Sequence, residues 1–130
     1  MTFVGRRVLV VEDEFLASLT TIDLLESTGC EVVGPIVGLP AAVQVAQLEL
    51  LDAAVLDINI GGEMIWPVAE ELQRRGVPFL FVSAYSELSV IPVLFASVPR
   101  LPKPLEQNRF LCRLSTILDV RADEAVPFRK

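Results

Sequence analysis

Polar residues that could do chemistry follow short apolar runs at four points of the chain. Glu12, Asp13 and Asp57 carry carboxylates, Ser83 carries a hydroxyl and Lys103 carries an ammonium group. Taken singly, each has an ordinary role as a helix cap, a turn residue or a solvated charge. Taken together, they could hold a divalent cation and accept a phosphoryl group, because an aspartate carboxylate can act as a nucleophile.

The three acids explain why a cation is expected. Two carboxylates about 4 Å apart repel each other by about 4 kcal/mol at an effective dielectric constant of about 20. A hard cation such as Mg²⁺ relieves this repulsion and prefers oxygen ligands. An incoming phosphoryl group also needs its oxygens neutralised, for which Lys103 and the Ser83 hydroxyl are suited. We see no general base for rapid turnover, so these residues favour a phosphoryl acceptor over a hydrolase.

The elements that would position these residues are predicted strands. The apolar runs are residues 8–11, 32–37, 53–58, 79–82 and, with a weaker pattern, 98–101. They lack the polar alternation of a half-exposed strand, which is typical of strands buried on both faces. Five such strands with helices between them predict an α/β fold with a parallel sheet and right-handed crossovers. Ligands bind beyond the carboxyl ends of such strands, where the polar residues stand.

Helical spacing fills the segments between the runs. The predicted inward-facing residues are Phe15, Leu19, Ile22 and Leu25 in the first helix, Val43 and Ala46 in the second, Val68, Ala69 and Leu72 in the third, and Phe110, Leu111, Leu114, Ile117 and Leu118 in the last. Gly29 suits a C-terminal cap, and Pro40, Pro67 and Pro104 can open helices. Pro92 interrupts residues 86–97, which predicts a short or irregular fourth helix.

Composition limits the class of protein. A chain of 130 residues, 52% of them hydrophobic and 22% charged, predicts a single domain with its own core. We place this domain at residues 1–121, with a short tail at residues 122–130. Cys30 and Cys112 lack metal-ligand spacing and are expected to be small buried side chains.

Charge and hydropathy exclude several functions. A net charge of −6 gives no basic surface for nucleic acid. No apolar run approaches the roughly 18 residues of a membrane span, and the N-terminus lacks the pattern of a secretion signal, so we expect a cytoplasmic protein. The sequence contains no histidine. A histidine phosphodonor must therefore belong to another molecule.

The segments VLVVEDE, AVLDINI, FLFVSAY and LPKP resemble the response-regulator receiver family, along nearly the whole chain. The resemblance implies a flavodoxin-like, doubly wound sheet of five parallel strands in the order 2-1-3-4-5, with helices on both faces. It implies that Asp57 is the phosphoacceptor, Ser83 the switch hydroxyl and Lys103 the phosphate-pairing cation. It further implies a Mg²⁺ site formed by Glu12, Asp13, Asp57 and the backbone carbonyl of Asn59, and a cis peptide bond before Pro104.

A narrower resemblance concerns VPFLFVSAY followed by LPKP, which is similar to the FATGUY receivers. Members are often stand-alone domains that work with histidine kinases of the HWE type. Val82 and Ala84 depart from that signature. Arg100 departs from the receiver family as a whole, which usually has an aromatic switch residue three positions before the lysine. Tyr85 or the segment 86–97 could substitute for it, although Tyr85 could also be ordinary packing.

These features predict a single-domain response regulator in a two-component phosphorelay. A histidine kinase or a histidine phosphotransfer protein would donate to Asp57, and output would be protein–protein interaction or onward phosphotransfer. The protein would catalyse at most its own phosphorylation and dephosphorylation. One alternative is a receiver-like interaction module that is not phosphorylated, suggested by Arg100. Another is an aspartate-nucleophile phosphatase of the haloacid-dehalogenase type, which is disfavoured because Asn59 stands where a second acid is needed.

Overall fold

The structure, a computed structural model, describes residues 3–84 and 89–125. Strands of the main sheet are β1 (Arg7–Val11), β2 (Glu31–Ile36), β3 (Ala53–Leu56), β6 (Phe79–Ser83) and β7 (Arg100–Pro102), and β4 (Asn59–Ile60) and β5 (Glu63–Met64) form a separate hairpin. The helices are α1 (Phe15–Ser27), α2 (Leu39–Leu48), α3 (Trp66–Arg74) and α4 (Gln107–Ala125), with a 3₁₀ turn at Val93–Phe95.

The main sheet is parallel throughout, and its strand order is β2-β1-β3-β6-β7. Counting only these five strands gives the order 2-1-3-4-5, which confirms the predicted fold class. Neighbouring strands are paired up to their carboxyl ends, for example Val11 with Leu56 and Ser83 with Pro102. Four of the strands therefore end close together at one edge of the sheet.

Helices cover both faces of the sheet, and alternate strand residues point to opposite faces. In β1, Leu9 and Val11 pack in a core with α2 and α3, whereas Val8 and Val10 pack in a second core with α1 and α4. Strands β1, β3 and β6 are thus buried on both faces, as their apolar sequences predict. Strand β2 has no buried residue, so the prediction is wrong there, because β2 lies at the edge of the sheet.

The buried face of α1 differs from the prediction. Leu25 is buried as predicted and Ile22 is half-buried, but Phe15 and Leu19 are exposed. The other buried positions of the helix are those of Ser18 and Thr21. The hydroxyls of Ser18 and Thr21 donate to carbonyl oxygens of the preceding helical turn, at 2.6 Å and 3.4 Å. Because these hydrogen bonds satisfy the hydroxyls locally, the two polar side chains can be buried where an apolar pattern would not place them.

The ends of the other helices agree more closely with the sequence. Gly29 closes α1 with a φ of 90°, and Pro40 and Pro67 lie in the first turns of α2 and α3. The last helix, however, begins at Gln107 and not at Pro104. The Glu106 carboxylate accepts the backbone N–H of Arg109 at 2.7 Å, so a side-chain cap sets the start of α4.

The predicted inward residues of the last three helices are buried or half-buried. Val68, Ala69 and Leu72 of α3 are fully buried, as are Phe110 and Leu114 of α4. The remaining residues predicted to face inward are Val43, Ala46, Leu111, Ile117 and Leu118. Helices α2, α3 and α4 therefore contact the sheet through the faces that their periodicity indicates.

Between β6 and β7, the described residues contain a single 3₁₀ turn, as the interruption at Pro92 predicts. Phe95 of this turn packs against the rings of Trp66, Phe79 and Phe81. Tyr85 lies outside the described residues, so its proposed switching role stays a prediction.

Cys30 is buried as expected, but Cys112 is exposed, and that prediction is wrong. Cys112 lies on the outer side of α4, and its apolar sequence neighbours supply the buried side. Helix α4 continues to Ala125, so the first residues after Arg121 are helical, and the domain boundary stays a prediction. None of the helices in the described ranges is long and apolar enough to cross a bilayer.

Candidate functional site

Asp57 is at the centre of the candidate site and is buried just beyond the end of β3. Its backbone N–H donates to the carbonyl of Val11 at 3.0 Å, which fixes it beside the end of β1. Ser83 Oγ donates to Asp57 Oδ1 at 3.0 Å, and Lys103 Nζ donates to Asp57 Oδ2 at 2.9 Å. Each carboxylate oxygen is therefore held by a donor from a different strand end.

Lys103 bridges two carboxylates of the acidic cluster, those of Asp57 and Glu12. Its ammonium also contacts Glu12 Oε1 at 2.7 Å, and its backbone N–H donates to the carbonyl of Ser83 at 2.9 Å. Burial by itself lowers the pKa of Lys103, but the hydrogen bonds with Glu12 and Asp57 outweigh it and the pKa is raised. Lys103 therefore stays a cation and can balance two carboxylates.

Glu12 is buried beside Asp57, and its ionisation is correspondingly unfavourable. Burial raises the pKa of Glu12 to about 7, although hydrogen bonds with Lys103 and with the backbone N–H of Glu14 oppose the rise. The nearby charge of Asp57 raises the pKa of Glu12 further. Additional positive charge at this position would favour the ionised form of Glu12.

The third acid, Asp13, completes a group of carboxylates that could hold a metal ion. Oxygen atoms of Glu12, Asp13 and Asp57 all lie within 4.8 Å of one another, and Asp13 is exposed to solvent. Clustered hard oxygen ligands with one open side suit Mg²⁺, which keeps several of its waters. The residues present therefore fit the cation implied by the family resemblance.

Asn59 lies two residues after Asp57, on the hairpin formed by β4 and β5. Its side-chain Oδ1 accepts the backbone N–H of Gly62 at 2.8 Å, while Asp13 Oδ2 accepts that of Gly61 at 2.8 Å. The hairpin thus fixes Asp13 as well as Asn59. Sequence reasoning missed this hairpin, although a Gly-Gly pair, here with φ values of 60° and 89°, is a recognised two-residue hairpin signal.

The structure brings Glu12, Asp13, Asp57, Ser83 and Lys103 into one continuous cluster and places Asn59 at its border. The Lys103–Pro104 peptide bond is cis, as the resemblance implies. Arg100 lies at the other end of β7 and does not contact this cluster. Its guanidinium donates to the carbonyl oxygens of Phe95, Ala96 and Val98 at 3.2, 2.7 and 3.2 Å.

A groove beside the cluster separates α1 from the start of the segment leading to α4. It has a volume of about 400 Å³ and is lined by Ala17 and Thr21 on one side and by Lys103 and Leu105 on the other. The nearby start of α1 exposes Phe15 and Leu16, which are 72% and 75% accessible. An apolar surface thus adjoins the charged site.

No protein-family model matches the sequence. The solution structure of SdrG from Sphingomonas melonis Fr1 is similar, with 32% sequence identity, a TM-score of 0.77, and coverage of 91% of this chain and 99% of that chain. A structure of SdrG in its BeF3-activated conformation is 32% identical with a TM-score of 0.73, and covers 88% of this chain and 98% of that chain.

Two other proteins are more distant. The transcriptional regulatory protein PdtaR of Mycobacterium tuberculosis is 29% identical over 89 residues, which are 68% of this chain and 43% of PdtaR. The chain therefore spans less than half the length of the curated relatives it matches. The receiver domain of sensor histidine kinase PA1611 from Pseudomonas aeruginosa PAO1, which has a magnesium ion coordinated in its active-site cleft, shares the fold at 21% identity and a TM-score of 0.77, covering 89% of this chain and 99% of that chain.

The strand order, the acidic cluster at the carboxyl edge of the sheet and these similarities agree. The chain belongs to the response-regulator receiver family.

Proposed function

We propose that this response regulator accepts a phosphoryl group on Asp57 from a phosphohistidine of a histidine kinase or a histidine phosphotransfer protein. The observation that carries the proposal is the environment of Asp57. Its carboxylate is buried at the edge of the sheet, and Ser83 and Lys103 donate to its two oxygens. These donors are already placed for the charge that phosphorylation would add.

The proposed transfer is a direct displacement at phosphorus. A carboxylate oxygen of Asp57 attacks the phosphorus atom, and the bond between phosphorus and the donor imidazole nitrogen breaks. The electron pair of that bond goes to the imidazole, which takes a proton from solvent. The product is an acyl phosphate on Asp57, and no base of this chain is required.

Glu12, Asp13 and Asp57 are the proposed side-chain ligands of Mg²⁺, with the backbone carbonyl of Asn59 as a further ligand. The clustering of their oxygen atoms and the hard character of carboxylates support this assignment. When bound, Mg²⁺ would neutralise negative charge on phosphoryl oxygens. The magnesium ion in the PA1611 receiver domain is a precedent within the same fold.

Signalling would follow from redistribution of the donors that now hold Asp57. Ser83 and Lys103 would turn to the new phosphoryl oxygens, and this change would bias the segments after β6 and β7. In this chain Arg100 stands where the family usually has an aromatic switch residue. Its hydrogen bonds to the carbonyls of the 3₁₀ turn support a role in holding that segment.

The proposed donor reaches Asp57 across the start of α1. The exposed Phe15 and Leu16 and the adjoining groove support docking of an apolar surface there. A kinase of the HWE type and membership of the FATGUY subgroup remain part of this proposal, as does a cytoplasmic location. Output would be binding to a partner protein or onward phosphotransfer.

Labelling with radioactive acetyl phosphate in the presence of Mg²⁺ tests the proposal. The wild-type protein should acquire acid-labile label, and Asp57→Asn should acquire none, because the nucleophilic oxygen is replaced by an amide. Asp23→Asn is the matched control, since Asp23 is an exposed carboxylate on α1 outside the cluster. Labelling that persists in Asp57→Asn would contradict the assignment.

A further inference from the structure

The hairpin of β4 and β5 is anchored in the core beside the acidic cluster. The backbone N–H of Ile65 closes the hairpin by donating to the carbonyl of Ile58 at 2.8 Å. Ile58, Ile60 and Ile65 are buried, with 2% or less of their surface exposed. Because packing fixes the base of the hairpin, the turn at Gly61 and Gly62 has a defined position relative to the sheet.

Asp13 is the least constrained of the three clustered acids. Glu12 and Asp57 are buried, each with 6% of its surface exposed, whereas Asp13 is exposed. Polar contacts hold both carboxylate oxygens of Glu12 and both of Asp57. Within residues 3–84 and 89–119, the Asp13 carboxylate has one such contact, the N–H of Gly61 on Oδ2 at 2.8 Å. That hydrogen bond is therefore what orients the Asp13 carboxylate.

The direction of the Gly61 N–H depends on a left-handed turn. Gly61 and Gly62 have φ values of 60° and 89°, a conformation that glycine adopts without steric cost. The side chain of Asn59 supports the turn by accepting the N–H of Gly62 at 2.8 Å. A Cβ at Gly61 would meet nothing within 4 Å, so a side chain added there would act through the backbone and not through a clash.

A backbone N–H orients the Asp13 carboxylate without cancelling its charge. The hydrogen bond occupies Oδ2, and Oδ1 stays open to a cation. A ligand that is already oriented does not have to be immobilised when the ion binds. Groups that hold a metal ligand from behind in this way typically contribute about 10–100-fold to metal affinity.

We propose that the β4–β5 hairpin positions Asp13 for Mg²⁺, with Gly61 as the positioning residue and Asn59 as the residue that fixes its turn. The inference rests on the proposed function, because it presupposes that Glu12, Asp13 and Asp57 hold the cation. The affinity for Mg²⁺ then depends on the backbone conformation of a residue that is not itself a ligand.

Isothermal titration calorimetry with MgCl₂ tests the inference. A β-branched residue is strongly disfavoured at a φ of 60°, so Gly61→Val should displace the N–H and weaken Mg²⁺ binding by about tenfold or more. Gly61→Asn should bind Mg²⁺ within about threefold of the wild-type protein, because asparagine tolerates the left-handed conformation and keeps the N–H. This rescue separates the loss of the turn from the addition of a side chain.

The matched control is Gly5→Val. Gly5 has a φ of 77°, and a Cβ there would also meet nothing within 4 Å, but Gly5 precedes β1 whereas Asp13 follows it. The control therefore adds comparable backbone strain at the opposite end of the strand. It should change the Mg²⁺ affinity by less than about twofold, because distant sites act independently.

Amide hydrogen exchange gives a readout that needs no metal. In buffer with EDTA, the Gly61 amide should exchange about tenfold faster in Asp13→Ala than in the wild-type protein, because a charge-assisted hydrogen bond is lost. The amide of Ile65, which donates within the hairpin, should exchange at the same rate in both proteins.

Three results would overturn the inference alone. They are wild-type Mg²⁺ affinity in Gly61→Val, equal weakening in Gly5→Val, and unchanged exchange of the Gly61 amide in Asp13→Ala. Failure of the wild-type protein to bind Mg²⁺ is a different result, which would overturn the metal site of the proposed function and the inference together.

Discussion

The last strand of the sheet has a cation at each end, and the two cations have different partners. Lys103, just past the carboxyl end of β7, contacts the carboxylates of Glu12 and Asp57 at 2.7 and 2.9 Å. Arg100, at the amino end, donates to three backbone carbonyls of the preceding segment. One cation faces groups whose charge can change, and the other faces groups whose charge cannot.

This difference separates the chemistry of the site from the conformation of the segment before it. An ammonium group is a compact charge that can move between anionic oxygens, whereas a guanidinium is a planar fork that fixes several acceptors at once. We therefore expect changes at Lys103 to alter phosphorylation and changes at Arg100 to alter stability. Three predictions test this division.

The largest expected effect is that of Lys103→Ala on phosphorylation. Removing one preorganised donor to the phosphoryl group should slow labelling by acetyl phosphate by about 100-fold. Arg100→Ala should change the labelling rate by less than about threefold, because Arg100 does not contact the cluster. Equal losses in both variants would show that the two ends of β7 do not act separately.

The second prediction concerns Glu12, the other partner of Lys103. The pKa of Glu12 is about 7 in the folded protein and 4.5 ordinarily, so the folded state binds this proton more tightly than the unfolded state does. The free energy of unfolding should therefore fall as pH rises from about 4.5 to 7, by at most about 1.4 kcal/mol for each pH unit.

Glu12→Gln removes this ionisation. In buffer with EDTA, the variant should be more stable than the wild-type protein by about 2 kcal/mol at pH 8 and equally stable near pH 4. Urea unfolding at the two pH values measures this difference. A variant that is less stable at pH 8 would show that the ion pair with Lys103 outweighs the burial of Glu12.

The smallest expected effect is that of Arg100 on stability. Arg100→Ala should lower the free energy of unfolding by about 1 kcal/mol, because it removes hydrogen bonds that are only partly shielded from water. Arg100→Lys should recover less than half of the loss, since an ammonium cannot reproduce the fork. Full recovery by lysine would mean that charge alone matters at this end of β7.

The sequence predicts the carboxyl end of the sheet well. Apolar runs identify the buried strands, and parallel strands end at the same edge, so Asp57, Ser83 and Lys103 can be placed together before any coordinates are known. The function of each of these side chains depends on its own charged or hydroxyl group, which the sequence states directly.

The amino end of β7 could not be predicted in the same way. The partners of Arg100 are backbone carbonyls, which every residue has and which leave no mark in the sequence. Part of the buried face of α1 was missed for a related reason, because Ser18 and Thr21 are satisfied by carbonyls of their own helix. Hydrophobic periodicity does not detect a polar side chain that is satisfied locally.

The central claim is that Asp57, the N-terminal acids and Lys103 together hold a phosphoryl group beside Mg²⁺. Titration with beryllofluoride and Mg²⁺, followed by amide NMR, tests it most directly. We predict saturable shifts at the amides of Asp57, Ser83 and Lys103 in the wild-type protein and none in Asp57→Asn. No shifts in the wild-type protein, or the same shifts in the variant, would contradict the account.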